Sequence, residues 1–345
     1  MNLCILFGGK SYEHAISIVS AITLKKLLPE VRHFIFLDSN HNFYHIPAEQ
    51  MQSKFFSNKS YEKAQKIYLK KDGFYTRTFF GQKPLHFPTI LNLIHGGDGE
   101  DGTLASLLDF YGIPYIGPRN PACVLSYDKE LMKSFAKSRG VKCLTYRVLY
   151  YNDTPPNDLN FPVIIKPARL GSSLGINIVE SQADLQYALD CAFEYDEKII
   201  IEPFIAGIKE YNLAGFKGKE GIQFSFIEEP EKNKMLDFEK KYLDFSRTSN
   251  AKEAEISDTL KQALQESFTK LYTNAFEGAL IRCDFFVKEG ECYLNEINPV
   301  PGSLANYLFK DFRNALESLL HALPKPNSIK ADYALLHTIQ FAKGK

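Results

Sequence analysis

The sequence has no excess of either charge: 41 basic side chains stand against 41 acidic ones over 345 residues. Neutrality argues against non-specific contact with nucleic acid or an anionic membrane, each of which wants a basic excess or a basic stripe. Any anion held here is gripped by a few placed cations and backbone N–H groups. The chain also lacks paired cysteines. Cys4, Cys123, Cys143, Cys191, Cys283 and Cys292 form no C-x-x-C and keep no zinc-like spacing, so they read as small hydrophobes. No apolar run approaches the ~18 residues that cross a bilayer. The opening MNLCILFGGKS has no basic leader, apolar stretch and small-residue cleavage site, so a reducing cytoplasm is the expected location. Internal repeats and low-complexity segments are absent.

What is present is ordinary globular composition, 45% apolar and 24% charged, in a chain long enough to split into two or three subdomains. Strand and helix patterns alternate from the start. NLCILF (2–7) reads as a buried strand, Gly8-Gly9 punctuates it, residues 14–28 have helical spacing, and VRHFIFLD (31–38) returns to strand. A polar, aromatic-dotted stretch (39–88) precedes the strand 87–94, a glycine-rich loop and a helix over 102–112. Residues 119–140 read as one or two helices, 161–166 and 198–205 as strands, and 181–193 as a helix between them. Strands near 210–217 and 221–227, a charged loop at 230–250 and a helix over 256–276 lead to a hairpin (280–298). A closing helix (311–322) and a polar tail follow.

Two nucleotide-binding patterns fail on inspection. GGKS (8–11) resembles the end of a P-loop, but the first glycine would fall at Cys4, inside the strand. GDGEDG (97–102) fits G-x-G-x-x-G, yet Asp98, Glu100 and Asp101 stand where a pyrophosphate needs N–H donors. Both loops instead suit the carboxylate of a small ligand, and Glu13 and Glu100 suit an ammonium, so an amino acid is the better guest. Two ordinary βα loops are the plainer alternative.

The segment RCDFFVKEGECYLNEIN (282–298) is the most informative. A three-residue loop Glu289-Gly290-Glu291 sets Asp284 opposite Glu296 and Arg282 opposite Asn298, all on one face; a two-residue loop would put the two carboxylates on opposite faces. Facing carboxylates need something positive between them. With the Asn carbonyl they form a hard oxygen set suited to Mg2+ on substrate phosphates, and an adjacent Arg suits a phosphate or an oxyanion. A solvated, salt-bridged hairpin face is the alternative. Lys166 ends a buried strand before the flexible Gly171–Gly175 loop, and Lys129 lies in the first turn of a helix begun at Ser126 or Asp128, where the helix dipole disfavours a cation. Singly such lysines are ordinary surface residues; beside that hairpin they look like a triphosphate site.

At this point GGKSYEHAIS, HGGDGEDGTL, SYDK, IIKPARLGSSLG, EPFIAG, EKKY and RCDFFV…LNEINPVPG, in this order, resemble the D-alanine:D-alanine ligases of the ATP-grasp superfamily, over residues 1 to about 322. The resemblance implies a mixed α/β ATP-grasp fold with an N-terminal domain (1–118), a central subdomain (119–202) and a C-terminal one (203–345). It implies that Lys129 and Lys166 bind the ATP phosphates under the Gly171, Ser172 and Ser173 loop. Glu202, Pro203 and Ile205 line the adenine, and Glu210 holds the ribose. Asp284, Glu296 and Asn298 resemble ligands of two Mg2+ ions, or of Mn2+. Glu13 looks like the partner of the first D-alanine's ammonium, with His95 near its carboxylate and Glu100 in support. Lys241 and Tyr242 belong to a closing loop, Lys241 towards the γ-phosphate and Tyr242 towards Ser172 and Glu13. Arg282 and the N–H of Gly302 resemble the pair that stabilises a tetrahedral oxyanion.

The implied reaction forms an acyl phosphate from ATP and D-alanine, then D-alanyl-D-alanine for peptidoglycan, in a cytoplasmic homodimer whose 14–28 helix is one candidate contact. Neither nucleic acid nor membrane is an expected partner. Departures from the family pattern are Ala15, Leu170, the longer Gly207–Glu210 segment, and Ser303-Leu304-Ala305-Asn306-Tyr307 where hydroxyls usually receive the second substrate. For that role Ser303, Asn306 and Tyr307 stay open. Competing readings are a ligase taking D-lactate or D-serine second, a non-catalytic nucleotide-binding module, and, weakest, a nicotinamide dehydrogenase.

Overall fold

The computed structural model describes residues 1–71, 73–230, 251–325 and 332–342. Its first sheet holds β1 (Leu3–Gly8), β2 (His33–Leu37), β3 (Phe43–Pro47), β4 (Gln65–Lys70), β5 (Gly73–Thr78), β6 (Gly81–Leu85), β7 (Thr89–Asn92) and β8 (Tyr115–Ile116), with α1 (His14–Leu27), α2 (Ser53–Ser57) and α3 (Thr103–Phe110). The order is β6-β5-β4-β3-β2-β1-β7-β8. Strands β2, β1, β7 and β8 run parallel, and all six residues of β1 are buried, as an unbroken apolar run in a central parallel strand requires. The stretch 39–88, read as polar connection, instead forms an antiparallel extension, β3 to β6. The chain leaves β1 for β2 on one side and returns to β7 on the other. At this switch point the loops after β1 and β7 part and open a crevice at the strand ends.

Helices α4 (Asn120–Tyr127) and α5 (Lys129–Ser138) and the short β9 (Lys142–Cys143) come next. Asp128 caps α5, its Oδ1 accepting from the N–H of Glu130 at 2.9 Å and of Leu131 at 3.2 Å, so that helix begins there and Ser126 belongs to α4. The second sheet is β10 (Arg147–Tyr150), β11 (Val163–Pro167), β12 (Asn177–Val179) and β13 (Lys198–Pro203), ordered β10-β13-β11-β12 and covered by α6 (Leu185–Phe193). The third sheet comprises β14 (Lys209–Gly218), β15 (Gly221–Glu228), β16 (Ile281–Lys288), β17 (Glu291–Asn298) and β9, with α7 (Asp258–Tyr272) and α8 (Phe312–Leu320). A helix α9 (Ala334–Ala342) lies within the tail. A boundary at 118/119 would give α4, α5 and β9 to the second sheet. They pack on the third, where Ala122, Met132, Phe135 and Val141 join Leu213, Phe268 and Leu294.

The β16–β17 hairpin corrects the expected turn and keeps the expected pairing. Lys288 pairs with Glu291, so the loop is the two residues Glu289 (φ 54°) and Gly290 (φ 80°), both left-handed as a type I′ turn demands. A bulge between Asp284 and Phe285 then restores the register, with Asp284 opposite Glu296 and Arg282 opposite Asn298. Bulges of this kind re-aim side chains beside active sites. Helix α1, a candidate dimer contact, is largely taken up internally: Ile16, Ser17, Ser20, Ala21, Thr23 and Leu24 are buried.

Candidate active site

The crevice at the ends of β1 and β7 is a cavity of about 440 Å³ whose lining includes Gly9, Ser11, Glu13, Gly97, Tyr127 and Leu170. Glu13 is its buried acid. Its carboxylate accepts a hydrogen bond from the Ser172 hydroxyl, a contact that ties the first βα loop to the loop after β11. Glycine is required on both flanks. A Cβ on Gly96 would come within 2.9 Å of Glu13 Oε2, and one on Gly171 within 2.9 Å of Glu13 Oε1. Behind Glu13, His95 Nε2 lies 3.1 Å from Ser20 Oγ, and its Nδ1 is 3.8 Å from Glu100 Oε1.

Burial dominates the protonation of this cluster. It pulls His95 down to about 4, so the imidazole is neutral near pH 7. Burial pushes Glu100 up to about 8, and burial with the nearby Glu100 raises Glu13. The two residues with assigned values act on stability with opposite signs. His95 favours the folded state above its usual 6.5, and that contribution is lost as pH falls towards about 4. Glu100 favours it below its usual 4.5, and the contribution is lost as pH rises through about 8. Between pH 6.5 and about 8 the Glu100 contribution remains after that of His95 is complete. The denaturant midpoint of the ligand-free protein is therefore expected to fall across that range, and Glu100→Gln to flatten the slope. An unchanged slope in that variant would contradict the assignment.

On the far side of the crevice, Lys129 Nζ donates to the Leu170 carbonyl at 2.6 Å, and burial lowers its pKa. Lys166 Nζ meets Glu202 Oε2 at 2.8 Å and donates towards Asn295 Oδ1 at 3.4 Å. Burial opposes its charge, but Glu202, together with Glu296 and Glu210, more than compensates and the net shift is upward. Glu202 has a second cation, Lys133, whose Nζ is 2.6 Å from Oε1. Burial would raise Glu202, yet Lys166 and Lys133 together bring it down to about 2. Pro203 ends β13, Ile205 follows in the connecting turn, and Glu210 opens β14.

The bulged hairpin supplies the third wall. Arg282 grips Asp284 with a bidentate fork, Nε to Oδ1 at 2.6 Å and Nη2 to Oδ2 at 2.7 Å, and Asn298 Nδ2 donates to Asp284 Oδ2 at 3.1 Å. Burial is the main influence on Asp284, with Glu296 adding to it and Arg282 opposing, and its pKa is pushed up to about 6. Next to the hairpin the chain makes a buried turn, Gly302–Leu308, in which Ser303 (φ 47°), Leu304 (φ 51°) and Ala305 (φ 48°) are all left-handed. Each costs roughly 1–2 kcal/mol outside glycine, and such strain gathers at functional sites. Leu304 and Leu308, buried against Phe7 and Leu24, help to hold it. So does the Ser303 N–H, which donates to Ser20 Oγ at 3.0 Å. Ser20 thus connects His95 to this turn.

The residues singled out in the sequence converge on one cleft. Glu13 interacts with His95, Glu100, Ser172 and Lys129, Lys129 with Lys166, Glu202 and Glu296, Lys166 with Glu210, and Asp284 with Arg282, Glu296 and Asn298. Lys241 and Tyr242 lie outside the described residues. Lys133, Ser20 and Asn295 escaped sequence reading. Of these only Lys133 carried a signal, its spacing of four from Lys129 on one helix face.

A cleft walled by two ATP-clamping sheets, with paired lysines on one side and facing carboxylates on the other, defines an ATP-grasp ligase. The family models for the D-Ala–D-Ala ligase N-terminus and C-terminus match residues 2–118 and 146–315. Over the full length of both chains it is 57% identical to a D-alanine–D-alanine ligase of Wolinella succinogenes. The crystal structure of the Helicobacter pylori D-alanine–D-alanine ligase superposes with a TM-score of 0.86 at 50% identity, covering 95% of this chain and 100% of that one. A D-Ala:D-Ser ligase of Enterococcus faecalis shares the fold at 23% identity and a TM-score of 0.73, over 92% of this chain and 98% of that one. The chain belongs to the D-alanine–D-alanine ligase family.

Proposed function

We propose a division of labour for the reaction, in which ATP drives the joining of two D-alanine molecules to D-alanyl-D-alanine. The observation that carries it is the Ser172–Glu13 hydrogen bond, which brings a phosphate-covering loop against an amino-acid crevice. Lys129, Lys166 and the N–H groups of Gly171 to Ser173 hold the phosphates. Glu202, with the backbone of Pro203 and Ile205, receives the adenine, and Glu210 the ribose. Glu13 takes the first ammonium and neutral His95 the first carboxylate, with Glu100 behind them.

The hairpin fits divalent metal. Asp284 and Glu296 face each other, and their repulsion, which adds to burial in raising Asp284 to about 6, is what a dication offsets. Among the described residues no cluster of three His, Cys, Asp or Glu competes for it. Asp284, Glu296 and Asn298 would hold two Mg2+ ions, or Mn2+, which when bound neutralise charge on the phosphates. A D-alanine carboxylate attacks the γ-phosphate to give an acyl phosphate. The amine of the second D-alanine attacks that carbonyl, the oxyanion meets the Arg282 guanidinium on the Nη1 side left free by Asp284 and the Gly302 N–H, and its collapse breaks the C–O bond and expels phosphate. Of the three residues open for the second carboxylate, Tyr307 is favoured. Its hydroxyl accepts from Arg282 Nη1 at 3.2 Å, whereas the Asn306 amide turns to the Ser303 carbonyl at 3.2 Å and the Ser303 N–H to Ser20. Lys241 and Tyr242 would close the cleft, and a cytoplasmic homodimer is the state in which we expect the enzyme to work.

The test is phosphate release with ATP and Mg2+. Release is expected with D-alanine, accompanied by dipeptide, and to stop on chelation; D-lactate or D-serine as second substrate should give little mixed product. No release with D-alanine would sink the proposal. Full turnover by Glu296→Gln would overturn the metal role given to Glu296, and nucleotide binding without any release would leave only a nucleotide-binding module.

A further inference from the structure

The antiparallel extension β4–β6 carries a charge that the whole-chain balance conceals. Between positions 63 and 83 there are Lys63, Lys66, Lys70, Lys71, Arg77 and Lys83 against Asp72 alone, a local net of +5 in a chain that sums to zero. Strand alternation sorts these residues. Ile67, Leu69 and Phe74 face the core. On the opposite face Tyr68 pairs directly with Tyr75, and cations lie over both rings, the Arg77 guanidinium 4.8 Å from the Tyr68 centroid and Lys70 Nζ 5.6 Å from that of Tyr75. Lys66, Lys70 and Arg77 are exposed on this face.

The tip of the extension is stranger. Thr78 pairs with Gly81, so the β5–β6 hairpin has a two-residue loop, and that loop is Phe79-Phe80. Such loops favour Asn, Asp and Gly. Neither phenylalanine adopts a positive φ, and neither packs on the body of the protein: Phe79 is 95% and Phe80 96% exposed, their rings touching only each other edge to face at 5.2 Å. Turn geometry and core packing therefore give no reason for two aromatic residues here. Two wholly exposed phenylalanines beside a basic, tyrosine-bearing face are the pattern of a surface that meets the headgroup region of a bilayer. A nucleic-acid surface needs open ring faces for bases to stack on, whereas Arg77 and Lys70 already cover Tyr68 and Tyr75, and Phe79 and Phe80 stand beyond the cations at the tip.

We propose that the β4–β6 extension is a peripheral docking surface for an anionic lipid bilayer. Phe79 and Phe80 enter the interface, and Lys66, Lys70 and Arg77, on the face of Tyr68 and Tyr75, meet the lipid phosphates. The surface is separate from the catalytic cleft, so docking and turnover are independent. Helix α9 also exposes Leu335 and Phe341, so the test must remove the hairpin tip and leave α9 intact.

The experiment is co-sedimentation of the full chain with vesicles of phosphatidylglycerol and phosphatidylethanolamine, against vesicles of phosphatidylcholine alone, at low and high salt. Binding is expected to the anionic vesicles only and to weaken with salt. Phe79→Ser/Phe80→Ser should abolish it. Lys66→Gln, Lys70→Gln and Arg77→Gln should each weaken it, by roughly fivefold per cation removed. Dipeptide synthesis in solution should be unchanged in all of them, which shows that they fold. Three results would overturn the proposal: equal binding by the tip variant, no preference for anionic lipid, or a tip variant that changes the protein's mass in solution or its retention of single-stranded RNA while leaving vesicle binding alone.

Discussion

Replacing Arg282 by methionine should lower dipeptide synthesis by about 10²- to 10³-fold, the loss typical of removing one oxyanion donor. The geometry makes the residue hard to substitute. Its fork holds both oxygens of Asp284 at 2.6 and 2.7 Å while Nη1 reaches Tyr307, and an ammonium cannot reproduce two parallel donors plus a third, so Arg282→Lys should rescue little. The two half-reactions separate the assigned role from a general loss of charge balance. If Arg282 acts on the tetrahedral oxyanion, D-alanine-dependent scrambling of isotope in the γ-phosphate of ATP survives in the methionine variant while dipeptide disappears. If scrambling falls in step with dipeptide, Arg282 serves phosphoryl transfer and the oxyanion assignment is wrong.

The readability of this fold in its sequence followed the physical strength of each signal. Continuous apolar runs marked β1, β11 and β13, because burial on both faces leaves no other composition. The extension β3–β6 was opaque for the opposite reason. Its strands alternate a core residue with a lysine, tyrosine or arginine, and a stretch that reads as polar on average is in fact a two-faced sheet. Whole-chain neutrality hid its charge in the same way. The metal-type hairpin shows a subtler limit. Asp284 does face Glu296, but through a Glu289-Gly290 turn and a bulge whose one-residue shifts cancel, and a bulge leaves no periodic trace in sequence. The left-handed run at Ser303–Ala305 is likewise invisible, since none of its residues favours that conformation.

Lys133 is the site residue whose loss should cost the fold most, and it is one that sequence alone presents as an ordinary helix lysine. Its partner Glu202 is 3% exposed, as is Lys133 itself, and each carboxylate oxygen of Glu202 has its own cation, Lys133 at 2.6 Å and Lys166 at 2.8 Å. Removing Lys133 leaves the buried Glu202 Oε1 without its cation while Lys166 keeps Oε2, at a cost of about 3 kcal/mol. Lys133→Met should therefore lower the denaturant midpoint by that amount. It should also steepen sensitivity to acid: Glu202, held at about 2, contributes stability above its usual 4.5 that is lost only as pH falls towards 2, and with one cation gone that loss is complete at higher pH. Replacing both partners, Lys133→Met with Glu202→Leu, strands the buried Lys166 ammonium instead, so the double variant should be no more stable than the single and should also lose ATP affinity. Lys166 is then left without its carboxylate, and the acceptor assigned to adenine is gone. The KM for ATP should rise in the single variant by more than kcat falls, because Lys133 meets Glu202, the residue proposed for adenine, and acts by holding that carboxylate in place. A single variant with an unchanged midpoint, or a double variant more stable than the single, would show that the two lysines do not share one carboxylate in the folded protein.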